Sequence, residues 1–406
     1  MKMMATVMSR SVNNRECQRS TDILLIAVPE SRRTHLFQSA LANLGCPPAR
    51  VLSFTDLLSG RVVLSDYVKD GTRIRIDSPG KDFETERALL CAGAEEEDNY
   101  SYARLPRHEV QKLEFERGRI LYPRQWYLGF TRALRLIGCQ LPGLRFMNSL
   151  SDIALMFDKP RCQQLLRDSR IPTPDNLGEI RSFADLRERM RESGCARVFI
   201  KLAHGSSASG VIAYQTNGNK HQAITTVEMV SQGNDLLLYN SRCIRVYRDI
   251  HEIEALVDVL CQHRAYAEQW LPKAGSEGKT FDLRVVVIAG RARHTVVRLS
   301  RHPITNLQLL GGRGSLERVR ERTRDDGWER IRRTCERVML RCFRESLYAG
   351  VDVQIAPDYR RHNVLEVNAF GDLLPNVLHE GLDTYASEIR DLTWKRSVPI
   401  GRIAAG

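Results

Sequence analysis

The sequence predicts a chain of the α/β plus α+β class, in which a smaller leading unit precedes a larger mixed one. An apolar run at residues 22–28, a helical pattern at 31–45 and a second apolar run at 51–54 follow a βαβ order, which implies a parallel sheet covered by helices. Strand patterns become dense later, from residue 265 to residue 299. The length of 406 residues is enough for about two or three domains.

The elements of the larger unit are predicted from apolar periodicity. A strand at 196–202, a loop rich in small residues and a returning strand at 211–214 form a hairpin. The continuous apolar run at 285–288 indicates a strand that is buried on both faces. From Trp328 onward, apolar residues at three- and four-residue spacing predict a long amphipathic helix that ends at Gly350.

Composition and charge exclude several classes of protein. The hydrophobic share of 42% and the charged share of 27% are ordinary for a globular protein and exclude a collagen-like or disordered chain. The net charge is +12, and only ten of the 61 basic residues are Lys. Because the Arg residues are spread along the chain among acidic ones, a composition bias is favoured over a nucleic-acid interface, which stays the weaker alternative.

Cysteine usage and hydropathy indicate a compartment. The ten Cys include no CxxC pair, and free cysteines are typical of a reduced, cytoplasmic protein. No apolar run approaches the length of a membrane span, so no membrane partner is expected. Residues 1–20 are polar, contain Arg and lack the apolar core of a secretory signal. They are interpreted as a disordered tail, with an organelle-targeting segment as the weaker alternative.

Three oxygen-bearing side chains on two neighbouring strands form the strongest constellation. Asp352 lies in a strand at 351–356, and Glu366 and Asn368 lie two apart in a strand at 362–368, so the latter two share one face. If the strands pair antiparallel, Asp352 lies opposite them. Such hard donors suit Mg²⁺, and we expect no cation between them on that face. The alternative is a hydrogen-bonded surface patch.

Basic residues flank the small-residue loop and a buried strand. Lys201 directly precedes the loop at 204–210, whose backbone N–H groups are suited to a phosphate. Asp282 and Arg284 lie two apart on one strand, and Arg298 lies on the next. These Arg residues are candidates for holding a transferring phosphate, with a structural Asp282–Arg284 ion pair as the alternative. His204, His302 and His379, which have no carboxylate partner apparent in the sequence, are interpreted as structural.

In their order along the chain, these segments resemble the ATP-grasp superfamily, and within it a branch of uncharacterised bacterial proteins close to the RimK-like carboxylate–amine ligases. The resemblance covers roughly residues 149–383. Its segments are VFIKLAHGSSASGV (198–211), AYAEQWLP (265–272), FDLRVVVIAGRARHTVVR (281–298), TNLQLLGGRG (305–314) and AGVDVQIAPDYRRHNVLEVNAFGD (349–372). The last is the most specific.

The resemblance implies an ATP-grasp fold, in which two α+β subdomains clamp ATP, preceded by a Rossmann-like pre-ATP-grasp α/β domain. The implied organisation is a tail at 1–20, a leading domain at 21–148 and an ATP-grasp domain at 149–395, divided into a lid at about 159–267 and a C-terminal subdomain at about 268–395.

The resemblance also implies an ADP-forming ligase that joins a carboxylate to an amine through an acyl phosphate. The implied ATP contacts are Lys159, Lys201, Gly205, Ser206, Ser207, Glu268, Gln269, Leu271, Asp282 and Asn306. Asp352, Glu366 and Asn368 would hold Mg²⁺, with Mn²⁺ as an alternative, and Arg284 and Arg298 would be catalytic.

Two departures from the ligase pattern leave details open. The resemblance implies a hinge at residues 268–271, and residues 273–280 form an insertion after it, so either Glu268 or Gln269 contacts the nucleotide. Ala-Phe-Gly-Asp follows Asn368 where the ligases have Ser-Ser-Pro-Gly. The substrates are therefore expected only as small-molecule or peptide carboxylates and amines, and formation of a homodimer is left open. A catalytically silent ATP-binding regulator or scaffold is the main alternative function.

Overall fold

The computed structural model describes residues 22–98, 100–233, 235–305 and 311–393. Its helices are α1 (Arg32–Asn43), α2 (Phe54–Leu58), α3 (Phe83–Ala94), α4 (Arg107–Val110), α5 (Pro123–Gln140), α6 (Leu150–Phe157), α7 (Lys159–Asp168), α8 (Phe183–Glu192), α9 (Ile250–Cys261), α10 (Leu316–Cys342) and α11 (Thr384–Arg390). Its strands are β1 (Ile23–Ala27), β2 (Arg50–Ser53), β3 (Arg73–Ile76), β4 (Arg145–Phe146), β5 (Asn176–Ile180), β6 (Arg197–Leu202), β7 (Ile212–Thr216), β8 (His221–Gln232), β9 (Asp235–Tyr247), β10 (Ala265–Gln269), β11 (Gly275–Ser276), β12 (Lys279–Ile288), β13 (Arg291–Ser300), β14 (Gly312–Gly314), β15 (Tyr348–Ile355) and β16 (His362–Asn368).

The first sheet is parallel and has the order β2-β1-β3-β4. Every residue of β1 is buried, because both faces of a parallel sheet are covered. Helix α1 follows β1, and the side chain of Ser31 caps it by accepting a hydrogen bond from Thr34 N. The predicted βαβ opening and parallel sheet are confirmed.

The second sheet has the order β5-β10-β6-β7-β8-β9, and all its pairings are antiparallel. Strands β6 and β7 form the predicted hairpin around the small-residue loop. Apolar residues of α8 and α9, such as Leu186 and Leu256, pack with the inward face of this sheet. The loop therefore projects from the ends of two central strands of this sheet.

The third sheet has the order β14-β13-β12-β15-β16 and is also antiparallel. Val285, Val286, Val287 and Ile288 are all 0% exposed, which confirms that this strand is buried on both faces. Strand β12 lies between β13 and β15, so it brings residues from distant parts of the chain together.

The long helix α10 does not end at Gly350, and that prediction is wrong. The helix ends at Cys342, where the buried Phe343 leaves the helical conformation. Gly350 lies inside β15 and packs directly against the backbone of Gly371. The glycine therefore permits a close approach of two chain segments and does not stop the helix. A kink at Arg324, with φ of 59°, also divides α10.

A short segment connects the first and third sheets. Met147 N donates a hydrogen bond to Ile74 O at 2.8 Å, and Leu347 N donates to Met147 O at 2.8 Å. Apolar side chains of the two sheets also share one core, which contains Leu24 and Val351. The two sheets are thus packed as one layered body. No helix in the described residues is long and apolar enough to cross a membrane.

Candidate functional site

A cavity of about 150 Å³ lies between the second and third sheets. Five cations and four carboxylates line it, which leaves one positive charge in excess. The cations are Lys159, Lys201, Lys273, Arg284 and Arg298, and the carboxylates are Glu268, Asp282, Asp352 and Glu366. Apolar side chains that include Phe199, Val211, Ile304 and Leu365 complete the wall. The lining of the cavity therefore combines apolar side chains with a dense set of charged ones.

The three predicted metal ligands come together at one end of the cavity. Asp352 on β15 lies opposite Glu366 on β16 in the strand register. One terminal atom of the Asn368 amide lies 3.4 Å from Asp352 Oδ2, and the other lies 3.3 Å from Glu366 Oε1. Among the described residues, no group of three or more His, Cys, Asp or Glu side chains is placed to hold a metal. Two carboxylates and one amide are hard donors that fit Mg²⁺.

The expectation that no cation lies among these ligands is wrong. Arg284 forms a bidentate ion pair with Asp352, in which Nη2 lies 2.9 Å from Oδ2. Arg298 Nη2 lies 3.2 Å from Asp352 Oδ1, and Lys159 Nζ lies 2.6 Å from Glu366 Oε1. Strand neighbours place the two Arg residues there, since β12 pairs with both β13 and β15.

Asp352 remains ionised because of these neighbours. Burial acts to raise the pKa of its carboxyl group, but the charges and hydrogen bonds of Arg284 and Arg298 outweigh it and lower the pKa to about 2. Burial acts to lower the pKa of Arg298, but the charges of Asp282 and Asp352 outweigh it and raise the pKa above its usual value. A charged carboxylate is the form that binds a divalent cation.

A second charged group lies around Asp282, on the same strand as Arg284. Asp282 accepts hydrogen bonds from Arg298 Nε at 2.6 Å and from Lys273 Nζ at 3.3 Å, and from the hydroxyl of Thr305. The alternative of an Asp282–Arg284 ion pair is not what the structure shows, since Arg284 pairs with Asp352. Arg298 thus links the two carboxylates.

Sequence reasoning missed Lys273 as a site residue. It begins the segment that was treated as an insertion, yet its side chain is 6% exposed. Its Nζ atom donates to Thr305 Oγ1 at 2.6 Å and to Pro303 O at 3.1 Å. Burial lowers the pKa of Lys273, Arg298 and Lys201 lower it further, and Asp282 opposes them. The available signal was a Lys within an apolar stretch of a chain that has only ten Lys.

Lys201 and Glu268 form a buried ion pair in the lining of the cavity. Glu268 is 1% exposed, and its Oε2 atom also lies 3.4 Å from Gln163 Nε2 and from Tyr266 OH. Burial acts to lower the pKa of Lys201, but Glu268 and Glu366 raise it above its usual value. Lys201 therefore stays charged.

The small-residue loop is attached to α7 through Lys159. Lys159 Nζ donates to Gly205 O at 2.6 Å, and its backbone N donates to Ala203 O at 3.0 Å. Ser207 and Ala208 have positive φ angles of 53° and 62°, a strained conformation that clusters at functional sites. The predicted residues Lys159, Gly205 and Ser207 therefore lie together at the cavity.

The remaining predicted residues divide into three groups. Glu268 lines the cavity, whereas Ser206, Gln269 and Leu271 are not among its lining residues in the described part of the chain. The backbone N–H of Gln269 donates a hydrogen bond to Asp175 O at 2.8 Å, just before β5. Asn306 lies outside the described residues.

A buried ionic cluster lies behind the loop that follows β16. Arg75, which is 0% exposed, pairs with Asp372 and Glu388 at 2.5 Å each. Arg33 pairs with Asp77 and Asp372 and donates to Phe370 O at 3.1 Å. On its other side, the loop accepts a hydrogen bond from Arg284 Nη1 to Gly371 O at 3.2 Å. The loop is thus fixed between the cavity and the first sheet.

Neither a protein-family model nor a curated protein matches the sequence. Among solved structures, the D-cycloserine synthetase DcsG is similar with a TM-score of 0.53 and 12% identity, over 91% of this chain and 99% of that chain. This likeness shows that the two chains share a fold. The ATP-grasp ligase PsnB with its minimal precursor matches with a TM-score of 0.47 and 17% identity, over 86% of this chain and 91% of that one. The macrocyclase MdnC of Microcystis aeruginosa MRC, bound with precursor peptide MdnA, matches with a TM-score of 0.49 and 11% identity, over 91% and 98% of the two chains.

Proposed function

We propose that the protein is an ATP-dependent ligase that joins a carboxylate to an amine and releases ADP and phosphate. The observation that carries this proposal is the convergence of five cations and four carboxylates on an apolar slot between two sheets. An excess of positive charge favours a polyphosphate, and the apolar wall suits a purine. The known structures that the fold resembles include a synthetase and ligases, which agrees with this class.

The proposed reaction has two steps. An oxygen of the substrate carboxylate attacks the γ-phosphorus, the bond to ADP breaks, and an acyl phosphate forms. The amine nitrogen then attacks the acyl carbon, loses a proton and displaces phosphate. Arg284 and Arg298 are proposed to neutralise the transferring group, and Lys159, Lys201, Gly205 and Ser207 to bind the phosphates.

The predicted metal ligands fit this chemistry. Asp352, Glu366 and Asn368 would hold Mg²⁺ or Mn²⁺, which supplies neutralisation of phosphate oxygens when bound. Their present partners are Arg284, Arg298 and Lys159. Because these are cations, an anionic nucleotide competes for them and frees the carboxylates.

We further propose that the protein belongs to the RimK-like branch and is cytoplasmic. Its proposed domains are a Rossmann-like leading domain at 21–148 and an ATP-grasp domain at 149–395 that has two subdomains. The substrates are proposed to be small-molecule or peptide carboxylates and amines, and the homodimer remains open.

The test is an assay of ADP release by the purified chain with Mg²⁺ and pooled carboxylates and amines, followed by hydroxylamine trapping of the acyl phosphate. We expect ADP release that depends on substrate and is lost in Lys201→Ala and Glu366→Ala. Lys220→Ala, which changes an exposed Lys in the turn between β7 and β8, is the matched control. An absence of ADP across broad pools would contradict the ligase, and tight ATP binding without turnover would favour the silent regulator.

A further inference from the structure

His204 lies where three parts of the fold meet. It follows β6 as the first residue of the small-residue loop at 204–210, and it is 4% exposed. Its ring stacks on Tyr127 of α5 with centroids 3.9 Å apart and an interplanar angle of 12°. It also contacts Phe157 at the end of α6 and Arg264 just before β10. One imidazole therefore joins a helix beside the first sheet to the loop of the second sheet.

The hydrogen bonds of His204 define its protonation state. Nδ1 lies 3.1 Å from Phe157 O, and a carbonyl oxygen only accepts, so Nδ1 carries the proton. Nε2 lies 3.2 Å from Arg124 Nη1 and 3.0 Å from Arg264 Nη1. Since a guanidinium only donates, Nε2 must be the unprotonated acceptor of both.

Carboxylates fix the two guanidinium groups in turn. Arg124 forms a bidentate ion pair with Asp98, in which Nε lies 2.9 Å from Oδ2 and Nη2 lies 3.0 Å from Oδ1. Arg264 pairs with Asp158 at 2.9 Å and with Glu179 at 3.0 Å. Burial lowers the pKa of His204 well below its usual value, and Arg264, Arg124 and Lys159 add to this effect. A neutral ring is thus maintained by both geometry and charge.

The position of this ring determines where Lys159 lies. The two backbone carbonyls that flank His204, those of Ala203 and Gly205, both accept hydrogen bonds from Lys159, at 3.0 Å from its backbone N and 2.6 Å from its Nζ. Lys159 Nζ in turn lies 2.6 Å from Glu366 Oε1. A shift of His204 therefore moves both the phosphate-facing loop and Lys159.

We propose that neutral His204 is a positioning residue for nucleotide binding, acting through Lys159 and the loop at 205–209. The inference rests on the proposed nucleotide site, and it adds a residue that lies outside the cavity lining. It also assigns a function to α5, whose Arg124 and Tyr127 hold the ring although neither lines the cavity.

The test measures the dissociation constant of a non-hydrolysable ATP analogue with Mg²⁺ by calorimetry for the full chain. His204→Phe keeps a ring that stacks but removes both hydrogen-bonding atoms, and we expect binding weakened about tenfold. The double variant with Lys159→Ala should bind no more weakly than Lys159→Ala alone, because both changes remove one interaction. A purely structural role predicts additive losses and would overturn the inference, as would an unchanged dissociation constant of His204→Phe.

Further variants keep the test decisive. His221 stacks on Tyr214 and pairs with Thr216, at the end of β7 that is opposite the small-residue loop. His221→Phe is therefore expected to bind like the wild type. If His204→Phe does not fold, His204→Gln, whose Oε1 can accept from both guanidinium groups, should bind within about twofold of the wild type, and His204→Asn should be weaker. Equal binding by these two would overturn the inference. Failure of the wild type to bind the analogue would overturn the proposed function itself.

Discussion

The backbones of Gly350 and Gly371 are in direct contact, since a methyl group on Gly350 would lie 2.7 Å from both the Cα and the carbonyl oxygen of Gly371. This contact lies two residues from Asp352. Gly371 O also accepts a hydrogen bond from Arg284, so the contact fixes the loop that borders the proposed metal ligands.

Gly350→Ala tests the contact. Because the three atoms nearest to the new methyl group are all backbone atoms of Gly371, the loop must shift, and we expect the free energy of unfolding to fall by about 1–3 kcal/mol. Chemical denaturation measures this. Gly312→Ala is the control, since a methyl group there meets no atom within 4 Å. Equal stability of the two variants would show that the loop moves freely.

Asp282→Asn removes the carboxylate shared by Arg298 and Lys273. The buried Lys273 then loses its carboxylate partner, and Arg298 retains only Asp352, so the variant is expected to lose about 3–5 kcal/mol of folding free energy. Asp326→Asn breaks an exposed ion pair with Arg330 and is expected to change stability little. The idea fails if thermal denaturation shows similar midpoints for both variants.

Glu388→Gln tests the charge state of the buried cluster. Arg33 and Arg75 face three carboxylates there, and Glu388 Oε1 has no hydrogen-bond partner among the described residues. Burial raises the pKa of Glu388 well above its usual 4.5. The charge of Arg75 acts to lower this pKa, and the charge of Asp372 acts to raise it.

In the pH window above 4.5 the folded state therefore binds more protons than the unfolded state, so this group's contribution to stability is present below 4.5 and is lost as pH rises toward the raised pKa. We expect Glu388→Gln to gain stability relative to the wild type as pH rises, in denaturation series at several pH values. Glu380→Gln, at an exposed site, provides the comparison. A stability difference that does not vary with pH would contradict a protonated Glu388.

Lys273→Met tests the cation that the sequence did not reveal. Since burial lowers the pKa of Lys273, this lysine loses its proton before an exposed lysine does as pH rises. Nucleotide affinity of the wild type is expected to decline on the alkaline side, while Lys273→Met binds more weakly and shows less of this decline. Calorimetric titrations with the ATP analogue across alkaline pH measure it, with Lys220→Met as control. An identical alkaline decline in Lys273→Met would assign the effect to another group.

Local rules predicted the parts of the site that depend on near neighbours. The two-residue spacing of Glu366 and Asn368 placed them on one face, and the short turn before β16 made Asp352 their partner. The ion pair between Arg284 and Asp352 depends on β12 lying beside β15, and residues this far apart in sequence give no local signal of adjacency. The predicted end of α10 at Gly350 was wrong because a glycine can serve close backbone packing as well as helix termination.

The buried Arg75 has a consequence for fragments of this chain. Arg75 belongs to the first sheet, but its hydrogen-bond partners Asp372 and Glu388 follow about three hundred residues later in the sequence. A polypeptide that ends after residue 148 would leave the buried Arg75 and its neighbour Arg33 to share Asp77 as their carboxylate partner. The native packing of the leading unit therefore depends on Asp372 and Glu388, and during synthesis it can be completed only after α11 has emerged.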